Sequence, residues 1–259
     1  MNNYYDSFGR IHDKPVTAAD PYPCNNSFLF TGEASLLNVP VDVTTVWRCY
    51  YGECATKYGY NRNPGGAPLP ASSHDEIVGL FMMCASSSLV MAGQLYDQLN
   101  ERLFQVCNLE GFKPTPIYKL NPLKVVRDFW RLSREEKPRT ATYKYPYIWP
   151  IVFRHLPQHT YFYARCAGIA PDFIHSAYHF FAGLHTVYRG NNSSRVMLGF
   201  KLLKLNKLGL TRTEKVLKWF YNKRVRFATE VVQYFPKNHP IAIATLREYG
   251  DSVYSGGGI

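Results

Sequence analysis

Beyond residue 40, apolar positions recur at helical intervals along most of the chain. Val43, Val46, Trp47 and Tyr50 follow an i, i+3, i+4, i+7 spacing behind Asp42, a good N-cap. This spacing predicts a helix running to about Glu53 rather than a strand built on Val39, Val41 and Val43. Ser73 and Glu76 have capping-box spacing, Asp75 adds first-turn negative charge, and Ile77, Leu80, Phe81 and Cys84 follow as an apolar face. A second helix is expected from Ser88 through Ala92, Leu95, Leu99 and Leu103, forming an antiparallel hairpin with the first.

Prolines at 114, 116, 122, 138, 146 and 150 break the middle of the chain into short pieces such as a Leu123–Leu132 helix. Phe129, Trp130, Tyr143, Tyr145, Tyr147 and Trp149 make this stretch too apolar for a solvated linker, so it reads as a wrapping connection. Pro171 opens a long helix over 172–188 that stops at Gly190. Ser193 or Ser194 caps the next helix, which ends before Gly209. Thr211 and Glu214 form a second capping box, for a helix that can continue to Tyr234, and a short helix over 240–249 follows. The pattern predicts a mainly α, irregular multi-helix domain over 25–253, with an extended arm at 1–24 and a flexible tail at 254–259. If the domain divides, it does so near 111–122.

Composition agrees with a sizeable core, since 46% of the 259 residues are hydrophobic and 15% aromatic. The longest uncharged apolar run, 77–93, is interrupted by three serines and falls short of a spanning helix. Six cysteines without a C-x-x-C pair, and no charged-then-apolar leader, predict free thiols in a virion or host-cytoplasm setting without signal-peptide secretion. Charge is divided along the chain. Residues 1–110 hold six Lys/Arg against eleven Asp/Glu, a balance of −5, and the remainder carries +16. A basic half of this kind attracts acidic protein surfaces or polyanions.

Asp172, His175 and His179 share one helix at i, i+3, i+7 and are weak metal-ligand candidates, with a capping Asp and core-edge histidines as the simpler account. His155 and His159 have i, i+4 spacing but straddle Pro157. No nucleophile elbow, P-loop or dinucleotide fingerprint is present, and no cofactor is implied. Gly65-Gly66 and Gly256–Gly258 read as turn and tail.

Phe28-Leu29-Phe30-Thr31-Gly32-Glu33, the turn Asn61-Arg62-Asn63-Pro64 and Ser73-His74-Asp75-Glu76 form a set within the first ninety residues. An Arg-bearing loop before a Ser-x-Asp-Glu helix start resembles the pattern of α/α-toroid carbohydrate-active proteins and of helical virion-associated proteins of tailed phages. The resemblance implies Glu33, Asp75 and Glu76 as hydrolase carboxyls and Arg62 as a substrate-binding residue. Glycoside hydrolysis needs one protonated and one ionised carboxyl on either side of the bond. Asp75 and Glu76 point about 100° apart on a helix, so Glu33 has to supply the facing group.

Lys201, Lys204, Lys207, Arg212, Lys215, Lys218, Lys223, Arg224 and Arg226 crowd two consecutive helices, interleaved with Trp219, Phe220 and Tyr221. They are the candidates for binding an acidic partner or a polyanion. The leading expectation is a non-enzymatic structural or assembly protein, a tail, collar or baseplate component docking on other subunits. The alternatives are a glycan-binding or glycan-hydrolysing protein and a nucleic-acid-binding protein.

Overall fold

The computed structural model describes residues 3–24, 26–56, 59–60, 62–64, 73–87, 89–101, 157–171, 173–255 and 258–259. The wrapping connection, its Leu123–Leu132 helix, Asp172, His155, Cys107 and Gly65-Gly66 lie outside these residues. Ten α-helices are described and the fold is mainly helical, irregular in arrangement, as the periodicity predicts. They are α1 (Ser27–Leu36), α2 (Val43–Arg48), α3 (His74–Ser87), α4 (Leu89–Glu101), α5 (Pro157–Cys166), α6 (Phe173–Arg189), α7 (Asn192–Leu208), α8 (Arg212–Arg224), α9 (Phe227–Tyr234) and α10 (Pro240–Ser255). A two-residue hairpin, Ala55–Thr56 with Gly59–Tyr60, is the one regular β element among the described residues. No helix among them is long and apolar enough to cross a membrane.

Helices α1 and α7 occupy the centre. Helix α1 packs on α3, α7 and α10, and α7 touches α1, α5, α6, α8 and α9. A helix surrounded in this way is buried on every side, and α1 is buried at nine of its ten positions. The α1–α3 crossing is set by two glycines. A Cβ on Gly32 would lie 2.5 Å from the Gly79 Cα, and one on Gly79 would lie 2.5 Å from the Leu29 Cα, so both positions need bare backbone. Phe28, Phe30, Phe81, Phe162, Phe200 and Phe227 fill the interior around this crossing.

Several local expectations are corrected. Asp42 caps α2 through Thr45, but the helix widens into a π turn over Cys49–Glu53, with Cys54 N donating to Cys49 O at 2.9 Å. At α3, Ser73 Oγ makes no hydrogen bond, and Glu76 instead accepts from Phe28 N at 3.3 Å, tying α3 to α1 in place of a capping box. Asn191, not Ser193 or Ser194, caps α7 by accepting from Ser194 N. The Thr211–Glu214 box forms as predicted, yet the helix it starts ends at Arg224, where Val225 takes an extended φ/ψ of −118°, 126°. Helix α9 restarts at Phe227, and α10 continues past Tyr249 across a kink to Ser255.

The segment read as an arm is part of the domain. Tyr4, Ile11 and Cys24 are buried, and Tyr4 Oη donates to Asn238 Oδ1 at 3.0 Å. His239 Nε2 donates to His12 O at 2.9 Å while its Nδ1 accepts from Ile241 N. Burial lowers the His239 pKa to about 4, so it holds both bonds as a neutral ring. At the other end Ile259 exchanges two backbone hydrogen bonds with the Asn222 side chain, which pins this part of the predicted tail to α8.

Candidate functional site

The first half of the site is a clasp built by residues 6–24. Asp6 accepts from Arg10 Nε at 2.8 Å and lies 3.0 Å from His12 Nε2, and His12 Nδ1 meets Cys24 Sγ at 3.3 Å. Burial pushes the Asp6 carboxyl up, but the His12 hydrogen bond and the Arg10 charge outweigh it, and the net shift is downward. Arg10 is fully buried over the Phe28 ring and donates through Nη1 to Ser27 Oγ and to Arg62 O, both at 2.9 Å. The clasp therefore joins the start of α1 to the turn that carries Arg62. Glu76 sits behind it, fully buried, with its pKa raised to about 8 by burial against the opposing charges of Arg10 and Arg62.

The second half collects titratable groups from four helices. Glu33 on α1 is 1% exposed, and burial, with the negative charge of Asp75 adding to it, raises its pKa well above the carboxylate range. Asp75 on α3 has a side chain 44% exposed and lies 4.0 Å from Nε2 of the buried His159 on α5. His159 Nδ1 is 2.9 Å from Nζ of Lys201 on α7. When Lys201 is an ammonium it can only donate, which leaves the His159 proton on Nε2, the nitrogen nearer Asp75. Burial lowers the Lys201 pKa to about 7, against the raising effects of Asp75 and Cys166. Lys204 is lowered to about 8 for the same first reason.

Aromatic rings flank this cluster, with the Tyr163 ring 6.4 Å from that of His159 and the Phe162 ring 5.5 Å from Lys201 Nζ. Tyr163 Oη donates to His74 O and meets His74 Nδ1, both at 3.0 Å, and its ring stacks on Phe81 at 4.6 Å. Two residues back on α5, Tyr161 stacks on His179 at 4.3 Å and donates to Glu214 Oε1 at 2.8 Å. A half-open cavity of about 100 Å³ lies beside His159 and Lys201, with His179, Thr186, Ser194 and Met197 among its other lining residues.

The sequence-derived candidates thus divide. Glu33 lies within the field of Asp75, Arg62 is held at the edge through its carbonyl, and Glu76 serves the α1–α3 junction. Lys201 and Lys204 are buried at 2% and 1% exposure and cannot belong to a partner-facing surface. Lys207 reaches back to donate to Leu36 O at 3.0 Å. Arg212, Lys215, Lys223, Arg224 and Arg226 are exposed, and Lys218 is partly so. His175 and His179 are buried, and no group of three His, Cys, Asp or Glu able to hold a metal is found among the described residues. Sequence reasoning missed that His159 and Lys201 meet beside Asp75. The spacing offers the first only as a metal ligand and the second only as a surface charge. Comparison of the chain with protein-family models, curated proteins and solved structures gives no match.

Proposed function

We propose that this chain acts on glycans, with Glu33 as a neutral acid and Asp75 as its anionic partner. One observation carries the reading: of two carboxyl groups on neighbouring helices, Glu33 is sealed in α1 and held neutral by burial with the charge of Asp75 adding to it, while Asp75 is half open to solvent. Glycoside cleavage asks for such a division into a protonated and an ionised carboxyl. His159 Nε2 lies 4.0 Å from Asp75 Oδ1, and Lys201 sits on the other ring nitrogen. The substrate enters beside Asp75, the member of the pair that meets water. The resemblance of Glu33, Arg62, Asp75 and Glu76 to the α/α-toroid carbohydrate-active pattern supports the same class.

The test is release of reducing ends from a panel of bacterial polysaccharides, with Glu33→Gln and Asp75→Asn each lowering the rate by about a hundredfold or more. Cleavage indifferent to both substitutions removes the pair from the chemistry, and a panel without cleavage removes the activity.

A second reading, a structural component of a tailed-phage virion docking on acidic subunits, is favoured by the outer face of α6 and α8. There Phe181, Tyr188 and Trp219 are exposed, Lys223 Nζ lies 4.9 Å from the Trp219 ring centroid, and the Arg224 guanidinium lies 5.2 Å from that of Tyr188. Exposed aromatics with cations suit a protein interface or single-stranded nucleic acid. Incorporation into purified particles that is lost on K223E/R224E supports this reading, and absence from the particles removes it.

A further inference from the structure

The cavity beside His159 differs from the acid–base pair in its chemistry. Among the described residues its lining brings together the His159 ring, the Lys201 amine, the Ser194 and Thr186 hydroxyls and the apolar Met197 and Leu198, and includes no carboxylate. Asp75 stands on the opposite ring nitrogen of His159 from Lys201. The Lys201 ammonium has three donors, and one is directed to His159 Nδ1. Burial disfavours the Lys201 charge, and an anion seated in the cavity beside it would hold the ammonium form. Ser194 brings a hydroxyl donor at the start of α7, whereas Thr186 Oγ1 already donates to Ala182 O at 2.9 Å and has only its acceptor side to offer. Met197, Leu198 and Ala182 supply an apolar wall. The volume, about 100 Å³, equals that of about three water molecules and admits a carboxylate with part of a ring behind it.

We infer that this cavity is an anion subsite that takes the carboxylate of an acidic sugar, held by Lys201 and Ser194 with the ring against Met197 and Leu198. The anion part stands on the cavity alone, and the sugar part rests on the glycan reading above. Because His159 belongs to both the cavity wall and the contact with Asp75, a substrate carboxylate placed here sets the neighbouring sugar beside Asp75. Uronate-bearing polysaccharides are the substrate class this geometry selects.

The experiment is calorimetric titration of the full chain with sodium glucuronate, sodium acetate, inorganic phosphate and neutral glucose at constant ionic strength. The titrations are repeated on Lys201→Met and Ser194→Ala, and circular dichroism confirms the fold of each variant. Glucuronate should bind, acetate more weakly and glucose not at all, and Lys201→Met should weaken glucuronate by about tenfold to a hundredfold, the range for a charged hydrogen bond. Ser194→Ala, at the cavity edge, should weaken it less and keeps the test informative should the Lys201 variant not fold. Glucuronate and glucose binding alike, binding unchanged in both variants, or no anion binding would each overturn the subsite. Phosphate binding in place of glucuronate would overturn the sugar assignment. Hydrolysis of neutral glycans without anion binding would sink the subsite and spare the acid–base pair. Glucuronate binding with cleavage indifferent to Glu33→Gln and Asp75→Asn would do the reverse.

Discussion

Gly79→Ala should force α1 away from α3 and carry Glu33 away from Asp75. The added methyl would lie 2.5 Å from the Leu29 Cα and equally close to the Phe28 carbonyl carbon, where carbon atoms normally rest at about 3.5 Å or more. Backbone cannot rotate aside as a side chain can, so the helices must separate by about 1 Å. A gap of that size forfeits about a quarter to a half of the dispersion contact across the junction. With the strain of an overpacked core, the cost is about 3 kcal/mol. For a chain of this length that corresponds to a Tm lowered by about 6–12 °C. Gly93→Ala is the matched control, since it lies in α4 with nothing within 4 Å of its added Cβ, and it should be neutral or raise Tm slightly. Differential scanning calorimetry of the three proteins reads the difference directly. Equal Tm values for wild type and Gly79→Ala would refute the bare-backbone crossing and with it the rigid placement of Glu33.

Three further outcomes follow from the buried charges. Lys201 is held at about 7 when folded but titrates near 10.5 when unfolded, so the unfolded state binds more protons between these values and stability rises with pH across that window. Lys201→Met should flatten this rise in urea melts at stepped pH, and an unchanged slope would place the amine in water. Glu76 behaves in the opposite sense. Raised to about 8 from 4.5, it binds more protons when folded, so its contribution is full below 4.5 and is lost as pH rises to about 8, a fall that Glu76→Gln should remove. Glu214→Ala removes the reciprocal half of the α8 capping box together with the partner of Tyr161 and Arg165, and should cost about 3–5 kcal/mol by denaturant titration; a loss under about 1 kcal/mol would mean the pair is solvated.

The helices were legible where their ends carry their own chemistry. Asp42 and the Thr211–Glu214 box are local devices, complete within four residues, and both form. The Ser73–Glu76 box has the same spacing but does not form, because the glycine crossing brings the start of α1 onto Glu76 and Phe28 N takes its oxygen. The break at Val225 has no proline or glycine to announce it. For α7, lysines at 201, 204 and 207 suggest a solvated face, yet Leu198, Phe200, Leu202, Leu203 and Leu205 cover the remaining directions. A helix apolar nearly all round belongs in the interior whatever lysines it carries, and that was the readable sign of buried Lys201. The cluster proposed to act as acid and base was half legible: Glu33 and Asp75 stood in the sequence as candidates, whereas His159 joins them only through packing between α3, α5 and α7.

The stitch between His12 and His239 spans 227 residues, and the one from Tyr4 to Asn238 spans 234. A ribosome adding about 5–20 residues per second needs roughly 10–45 s to deliver the second partner after the first has emerged. During that interval Tyr4, Ile11 and the apolar side of α1 have no α10 to close over them. Synthesis of this protein should therefore depend on holdase chaperones, and chains truncated before residue 239 should aggregate instead of persisting as stable fragments.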